Sequence, residues 1–408
     1  MTMPEQKKAV VPRLRFPEFR DAGPWEVKRL GDVAEVNAAG DLDFSQFSPV
    51  LTQEHIYPIY SNSIAQEGLY GFSTYPKYKK NSVTITARGT LGVAFYRDHD
   101  FVGIGRLLIV NARQEISPRY LKEVWNYLVR EPFENGGIPQ LTAIKARTIK
   151  LVFPSLPEQQ KIADCLSSLD ELIKLQAKQL EALQAHKKGL MQQLFPREGE
   201  TTPRLRFPEF RDAGPWEVKR LGEICSFLKG KGLPKTAITA EGSVPCIHYG
   251  ELFTEYGEVI RKVKSCTNTT TDSVLSEEDD VLMPTSDVTP NGLAKASCIK
   301  EKNVVLGGDI LVIRPNKQQV FGEYLSRYIR YQEKDVLRLV TGTTVFHLYG
   351  NAISHLRVSL PRMSEQQKIA DCLSSLNELI ELQAKQLEAL QTHKKGLMQQ
   401  LFPQEIDP

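Results

Sequence analysis

EQQKIADCLSSLDELIKLQAKQLEALQAHKKGLMQQLFP, running from Glu158 to Pro196, returns 207 positions later as Glu365–Pro403 with three changes: Asp170/Asn377, Lys174/Glu381 and Ala185/Thr392. In the first copy Ile162, Leu166, Leu169, Ile173, Leu180, Leu183, Leu190 and Leu194 fall in a 4-3-4-3 rhythm once Gln176 and Lys187 are counted in. That period of about 3.5 residues is the seam of a coiled coil. Pro157 suits a first helical turn, and Ser155 or Ser364 with Glu or Gln three residues on offers a capping box. Pro196 and Pro403 stop each run. At ~1.5 Å per residue the helix Pro157–Leu194 measures ~57 Å.

One narrow apolar stripe cannot stand alone in water. Its nearest partner is the second copy, with Ile369, Leu373, Leu376, Ile380, Leu387, Leu390, Leu397 and Leu401 on its seam. Gln176 and Lys187, mirrored by Gln383 and Lys394, trade stability for register there. A dimerisation zipper between two chains is the plainer alternative. A weaker stripe lies off the seam: Leu172, Leu175 and Ala182, and again Leu379, Leu382 and Ala389. It offers an apolar strip to helices of a partner, or else it widens the seam or packs on the chain's own domains.

A second duplication precedes each helix. PRLRFPEFRDAGPWEVKRLG occupies Pro12–Gly31 and, letter for letter, Pro203–Gly222. Between the constant flanks lie 125 residues (32–156) and 141 residues (223–363) with no comparable similarity. The chain is one unit written twice, a variable insert between constant blocks. Two long repeats are too few for a solenoid and point to a pseudo-two-fold molecule with two different heads. With 408 residues, 41% hydrophobic and 8% aromatic, the chain has the apolar content for two or three packed cores, which excludes a disordered chain. Its 52 Lys+Arg against 49 Asp+Glu exclude a polycation, so affinity for nucleic acid has to come from local patches. No apolar run approaches a membrane span, and MTMPEQKKAVV at the start is not expected to be a secretory signal. The six cysteines show neither C-x-x-C nor zinc spacing and are expected as free thiols in a reducing cytoplasm.

In the first insert, Ser82–Ala87 and Gly92–Tyr96 read as strands around a turn at Arg88-Gly89-Thr90, with a helix expected over Pro118–Arg130. No acid occurs from Gly68 to Arg97, where Lys77, Lys79, Lys80, Arg88 and Arg97 alternate with Phe72, Tyr75, Tyr78, Phe95 and Tyr96. Residues 135–157 are again acid-free and hold Gln140, Thr142, Lys145, Arg147 and Lys150. In the second insert Lys229-Gly230-Lys231 and Lys235 form a basic, glycine-flexed loop, and Thr285-Ser286-Asp287 another loop of short polar side chains. Residues 336–364 lack acid and carry Arg338, Thr343, Thr344, His347, His355 and Arg357. Cations for phosphates, with Arg, Gln and Thr for base edges, are what reading a DNA duplex requires. For any single one of these residues a solvated basic face is the competing explanation. Glu277–Asp280 should face away from phosphate. Catalytic motifs are missing. Gly103-Ile104-Gly105 lacks the third glycine of a dinucleotide site, and the Asn/Asp-Pro-Pro-aromatic motif of amino-methyltransferases is absent. The nuclease-like pairing of Pro17-Glu18 with Glu26-Val27-Lys28 sits in a proline-rich segment.

The strings WEVKRLG (Trp25–Gly31, Trp216–Gly222), EQQKIA after a proline (Glu158–Ala163, Glu365–Ala370) and KKGLMQQLF at each helix end resemble the specificity (S) subunit of type I restriction–modification systems. The likeness runs through essentially the whole chain. Ala87-Arg88-Gly89-Thr90 and Thr341-Gly342-Thr343 look, more weakly, like strings of its target-recognition domains. The resemblance implies an α+β chain: two α/β target-recognition domains separated and linked by two long helices that form an antiparallel coiled coil with pseudo-two-fold symmetry. Its expected parts are a first domain with its leading segment at 1–154, a helix at 155–196, a linker and second domain at 197–360, and a helix at 361–408. It further implies a non-catalytic, cytoplasmic subunit that reads a bipartite, asymmetric target in double-stranded DNA. Two modification (M) subunits would bring S-adenosylmethionine, and restriction (R) subunits ATP and magnesium; no cofactor is expected in this chain. Antiparallel rods of ~57 Å against ~34–36 Å per turn of DNA would set the gap between the half-sites. A stand-alone DNA-binding regulator is the alternative.

Overall fold

The computed structural model describes residues 10–129, 140–270 and 272–403. The chain divides into two compact units, residues up to Lys178 together with those from Lys385 onward, and Gln179–Ala384. The two long helices, Leu156–Leu194 and Met363–Leu401, each have 39 residues, and each contributes its longer first part to one unit and its last part to the other.

The duplicated leading block is a buckle for the start of each helix. Glu26–Arg29 pairs antiparallel with Lys150–Phe153, the strand running into the first helix, and Glu217–Arg220 pairs in the same way with Arg357–Leu360. Trp25 and Trp216 are buried beside these ribbons. The glycine closing each block is tightly packed: a Cβ on Gly31 would stand 3.0 Å from the Arg147 Cβ, and one on Gly222 3.1 Å from the Ser354 Cβ. Arg15 grips Glu158 in a bidentate ion pair, Nε to Oε1 at 2.8 Å and Nη2 to Oε2 at 2.5 Å. Arg206 does the same to Glu365 at 2.8 and 2.7 Å. With Glu158 held by Arg15, the expected capping box at Ser155 does not form. The second helix starts at Met363, so Ser364 lies inside it. A fork-to-fork pair with both partners shielded from water is the stronger use of that carboxylate. The next residue completes the buckle. Gln159 accepts from Ser117 N (3.0 Å) and donates to Pro154 O (2.9 Å); Gln366 accepts from Phe321 N (2.9 Å) and donates to Pro361 O (3.0 Å).

In the first unit a four-stranded antiparallel sheet runs in the order Ala34–Ala38, Leu108–Ala112, Ser82–Ile85, Ala94–Arg97. The Ser82–Ile85 and Ala94–Arg97 strands are those expected around Arg88. A second sheet orders Phe47–Ser48, Leu69–Ser73, Tyr57–Tyr60 and Val102–Gly103. The helix expected near Pro118 spans Pro118–Leu128, with the Ser117 Oγ accepting from Tyr120 N at its start; Arg130 lies outside the described residues. In the second unit a five-stranded sheet runs Cys225–Lys229, Ile310–Pro315, Val281–Pro284, Ser297–Ile299, Val259–Ile260 beside a four-stranded one, and the helix Gly322–Tyr331 takes the place of Pro118–Leu128. All six cysteines are free, and burial pushes the Cys225 thiol up to about 12.

Each core is closed by both long helices. In the first unit Ile162 and Leu166, from the start of the first helix, join Val36, Val83, Val110, Tyr120 and Trp125, together with Leu401 and Phe402 from the end of the second. The Phe402 ring lies 5.1 Å from Tyr127, 5.9 Å from Tyr120 and 6.4 Å from Trp25. In the second unit Ile369 and Leu373 are joined by Leu194 and Phe195, whose ring lies 5.0–5.7 Å from Tyr331, Tyr328 and Tyr324. The backbone follows suit: Leu14 N donates to Gln400 O and Leu205 N to Gln193 O, both at 3.0 Å.

The seam is antiparallel within each unit. In the first, Gln176 Nε2 donates to Gln386 Oε1 (2.8 Å) and Lys394 reaches Asp170 (2.6 Å). In the second, Gln383 Nε2 donates to Gln179 Oε1 (3.3 Å). Numbers rise along one helix as they fall along the other. Three of the four expected polar seam residues therefore have a partner on the other helix that fixes register, while Lys187 pairs with Glu258 of the second unit's sheet domain. The apolar ones are buried unevenly: Ile162, Leu166, Ile369, Leu373 and Leu376 are buried, whereas Leu169, Ile173, Leu180, Leu183, Ile380, Leu387 and Leu390 are half-buried. Two helices alone shield one side of a stripe; full burial needs the domain beneath.

Phe402→Ala should destabilise the first unit by about 3–5 kcal/mol and Phe195→Ala the second by a similar amount. Urea denaturation followed by tryptophan emission separates the two, because Trp216 is the second unit's sole tryptophan. A Phe195→Ala chain whose Trp216 transition is unshifted contradicts this packing.

Candidate nucleic-acid interface

The variable inserts expose one equivalent platform in each unit. In the first, Arg88, Gly89 and Thr90 are exposed on a loop whose base is tied down on several sides. Gly92 N donates to Thr86 O (2.8 Å), Val93 N to Thr86 Oγ1 (2.9 Å) and Ala87 N to Asn62 Oδ1 (2.7 Å). Gly89 at φ +69° supplies the left-handed turn that a side chain would strain. Leu141 N donates to Ala87 O (3.0 Å), which sets Gln140 and Thr142 beside this loop. Thr142 caps the short helix Ala143–Thr148 by accepting from Lys145 N (3.2 Å). Lys145 is exposed there, and so is Ile144.

The second unit repeats the arrangement with other residues. Leu348 N donates to Thr285 O (3.0 Å), as Leu141 does to Ala87. Ser286–Asp287 pairs with Phe346–His347 as a short ribbon, and Ser286 Oγ meets His347 Nδ1 at 3.0 Å. Thr343 and Thr344 are exposed at the tip of a turn in which Gly342 takes φ +118°. Both Leu141 and Leu348 are fully buried. Counted back from the paired strands, Gln140 and His347 occupy one position of the fold, and Arg88 and Ser286 another. The scaffold is common and the presented chemistry differs.

Thr285 is itself buried, its hydroxyl donating to Asp309 Oδ1 (3.3 Å), so it supports the platform rather than presenting a side chain. Asp309 also holds Lys229 at 3.5 Å, which brings that lysine to the same place. Lys231 is paired with Asp272 at 3.0 Å, and Lys235 is exposed. Gly230 is a packing glycine and not a flexible one, since a Cβ would fall 2.0 Å from Gly307 O.

Other candidates stand elsewhere. Lys77, Lys79 and Lys80 are exposed on the segment bridged to Phe101. Lys79 meets Asp100 at 3.0 Å, and Asp100, accepting from Lys80 N and paired with Lys79, is held below the usual carboxylate range. Arg338 is already matched by Asp335 (2.6 Å) and Glu198 (3.7 Å). Arg97 is a correction to the sequence reading. Its guanidinium is buried, donates to Thr84 Oγ1 (3.0 Å) and Glu67 O (2.7 Å), and lies 3.5 Å over the Tyr60 ring. An arginine so enclosed works as packing and hydrogen-bond glue. Sequence reasoning missed Asn62, Asp309 and Tyr349, the last an exposed ring stacked beside His347 with centroids 6.0 Å apart. The first two hold loops through backbone contacts that composition does not reveal. Tyr349 could have been found by aligning the acid-free segments on the strands that follow them. Among the described residues no group of three His, Cys, Asp or Glu side chains is placed to hold a metal ion.

Arg97→Ala should cost about 1–3 kcal/mol in urea denaturation, while Arg88→Ala stays within about 0.5 kcal/mol. The reverse order would contradict these placements.

Comparison with known proteins gives a consistent picture. The family model described as the type I restriction modification DNA specificity domain matches twice, at residues 23–185 and 214–392. The MjaVIII type I restriction enzyme specificity subunit of Methanocaldococcus jannaschii is 25% identical over 422 residues, covering 96% of this chain and 94% of its own length. A putative MjaX specificity subunit from the same organism is 26% identical over 321 residues, 74% of this chain and 72% of its own. Among solved structures, the S subunit of a type I restriction-modification system from M. genitalium aligns with a TM-score of 0.68 at 16% identity, over 97% of this chain and 100% of that one. A chain from a study of complex assembly and conformational transition in the type I system aligns with a TM-score of 0.53 at 16% identity, over 94% and 98%.

Proposed function

We propose, from the fact that this chain belongs to the type I restriction modification DNA specificity family, that its two platforms read the two halves of a split DNA target. The chain is a specificity subunit. The observation that carries the reading is the common scaffold with unlike contents: Arg88 and Gln140 in one unit, Ser286 and His347 in the other. Arginine and glutamine match bidentate contacts to guanine and adenine edges, while serine and histidine make different ones, so the half-sites differ and the target is not a palindrome. Lys145, Lys229 and Lys235, with Lys77 and Lys80, serve the phosphates, which position the protein without specifying sequence.

In this reading the chain performs no chemistry. Methylation, with S-adenosylmethionine, belongs to two M subunits, and ATP- and magnesium-dependent cleavage to R subunits. The complex works in the cytoplasm on double-stranded DNA; among the described residues no helix is long and apolar enough to cross a membrane. Leu172 and Leu175 on the first helix and Leu379 and Leu382 on the second are 50–64% exposed. Such a leucine stripe left in water supports the docking of M-subunit helices there. A stand-alone regulator has no use for it.

His347→Ala with Ser286→Ala should change the bases required at one half-site, by about 1–3 kcal/mol of discrimination per base pair, and leave the other untouched. Methylation mapping in a host carrying the chain with its M subunit reads this directly; a change at both halves, or at neither, refutes the assignment. Leu172→Glu with Leu379→Glu should reduce co-purification of the M subunit by at least about tenfold, through loss of roughly 1.4 kcal/mol or more. Undiminished assembly would remove the docking stripe.

A further inference from the structure

The three differences between the duplicated 39-residue blocks are not equivalent. Lys174/Glu381 and Ala185/Thr392 are exposed in both copies, and nothing in the structure explains them. Asp170/Asn377 sits against a recognition domain in both units, and the surroundings differ in charge.

In the first unit Asp170 belongs to a closed ring of four charges. Lys394 Nζ lies 2.6 Å from Asp170 Oδ1 and 3.6 Å from Glu123 Oε2; Lys122 Nζ lies 2.6 Å from Glu123 Oε1 and 3.0 Å from Asp170 Oδ2. Two lysines balance two carboxylates. Lys122 and Glu123 come from the domain, Asp170 and Lys394 from the two long helices.

The second unit has the same backbone geometry. Tyr120 and Tyr324 donate their hydroxyls to Val152 O (2.8 Å) and Ser359 O (2.6 Å) on matching strands, which aligns Pro118–Leu128 with Gly322–Tyr331. Glu123 then corresponds to Arg327, a reversal of sign. The carboxylates come instead from Glu258, placed between Lys187, the counterpart of Lys394, and Arg327, whose Nε lies 3.3 Å away, and from the buried Glu323, 3.4 Å from Arg327 Nη1 and 3.5 Å from Lys300. Glu258 is about nine-tenths shielded from water. Burial pushes its carboxyl up, and Lys187, Arg327 and Asn377 pull it further down, so it stays ionised. At the helix position of Asp170 stands Asn377, whose Nδ2 donates to Glu258 Oε2 at 2.7 Å. An aspartate there would face that oxygen with a second carboxylate and no proton to share, a repulsion that a shielded site screens poorly.

We propose that residue 170/377 is a charge key that matches each copy of the helix to the recognition domain at its own position. A domain that supplies one lysine and one glutamate, as the first does, fits the aspartate; a domain that already sets two buried carboxylates, Glu258 and Glu323, around Arg327, as the second does, fits the asparagine. The two heads are then not interchangeable between positions, although the blocks flanking them are nearly identical.

The test uses the full chain and hydrogen exchange in the second unit. Asn377→Asp should speed exchange in Gly322–Tyr331 on the order of tenfold, since one carboxylate too many faces Glu258. Asn377→Ala, which removes the hydrogen bond without adding charge, should change it less. Glu258→Gln alone should also speed exchange, and Glu258→Gln with Asn377→Asp, which moves the carboxylate from domain to helix, should bring it back to within about threefold of the parent. Additive losses in the double variant, or Asn377→Ala as damaging as Asn377→Asp, would overturn the key. Should Asn377→Asp fail to fold, a chain with the two inserts exchanged decides: its melting temperature should rise on adding Asp170→Asn, and an unchanged or lower value overturns the proposal.

Discussion

The whole architecture depends on a leucine and a phenylalanine at the end of each long helix. Leu401-Phe402 fills the core of the first unit and Leu194-Phe195 that of the second. A phenylalanine surrounded by three aromatic rings is among the largest single apolar contributions a small core receives. Neither recognition domain is a complete globule from its own insert and leading block. Each needs the last turns of a helix that begins in the other repeat.

That constraint explains why the 39-residue block is nearly invariant within this one chain. Its first turn must present Glu158 or Glu365 to an arginine of the leading block, and Gln159 or Gln366 to the domain. Its middle must supply the seam, and its last turn must fit a core of different composition from the one it left. Either copy has to perform all three tasks against surroundings that are themselves duplicated. The position where the surroundings reverse charge, 170/377, is one of the few where the copies part.

Much of this was legible in the sequence. The seam followed from a period of 3.5, and the strands around Arg88 followed from alternation and a glycine turn, because both patterns are set by local geometry. The destination of the final helical turn was not legible: a heptad rhythm says that Leu194 and Leu401 face inward without saying into what. Nor was the burial of Arg97. Its place in an acid-free, aromatic-rich stretch fits a phosphate contact and an enclosed cation equally well, and only the ring of Tyr60 above it decides. The capping box failed because Arg15, far away in sequence, competes for Glu158 and wins.

Hydrogen exchange on a chain shortened after Gly396 tests most directly whether the cores are completed in this crossed fashion. Removing Leu397 onward should strip protection from Ser82–Ile85, Leu108–Ala112 and Pro118–Leu128 while Val281–Pro284 and Gly322–Tyr331 keep theirs. Protection retained throughout the first unit, or lost in the second one instead, would contradict the account.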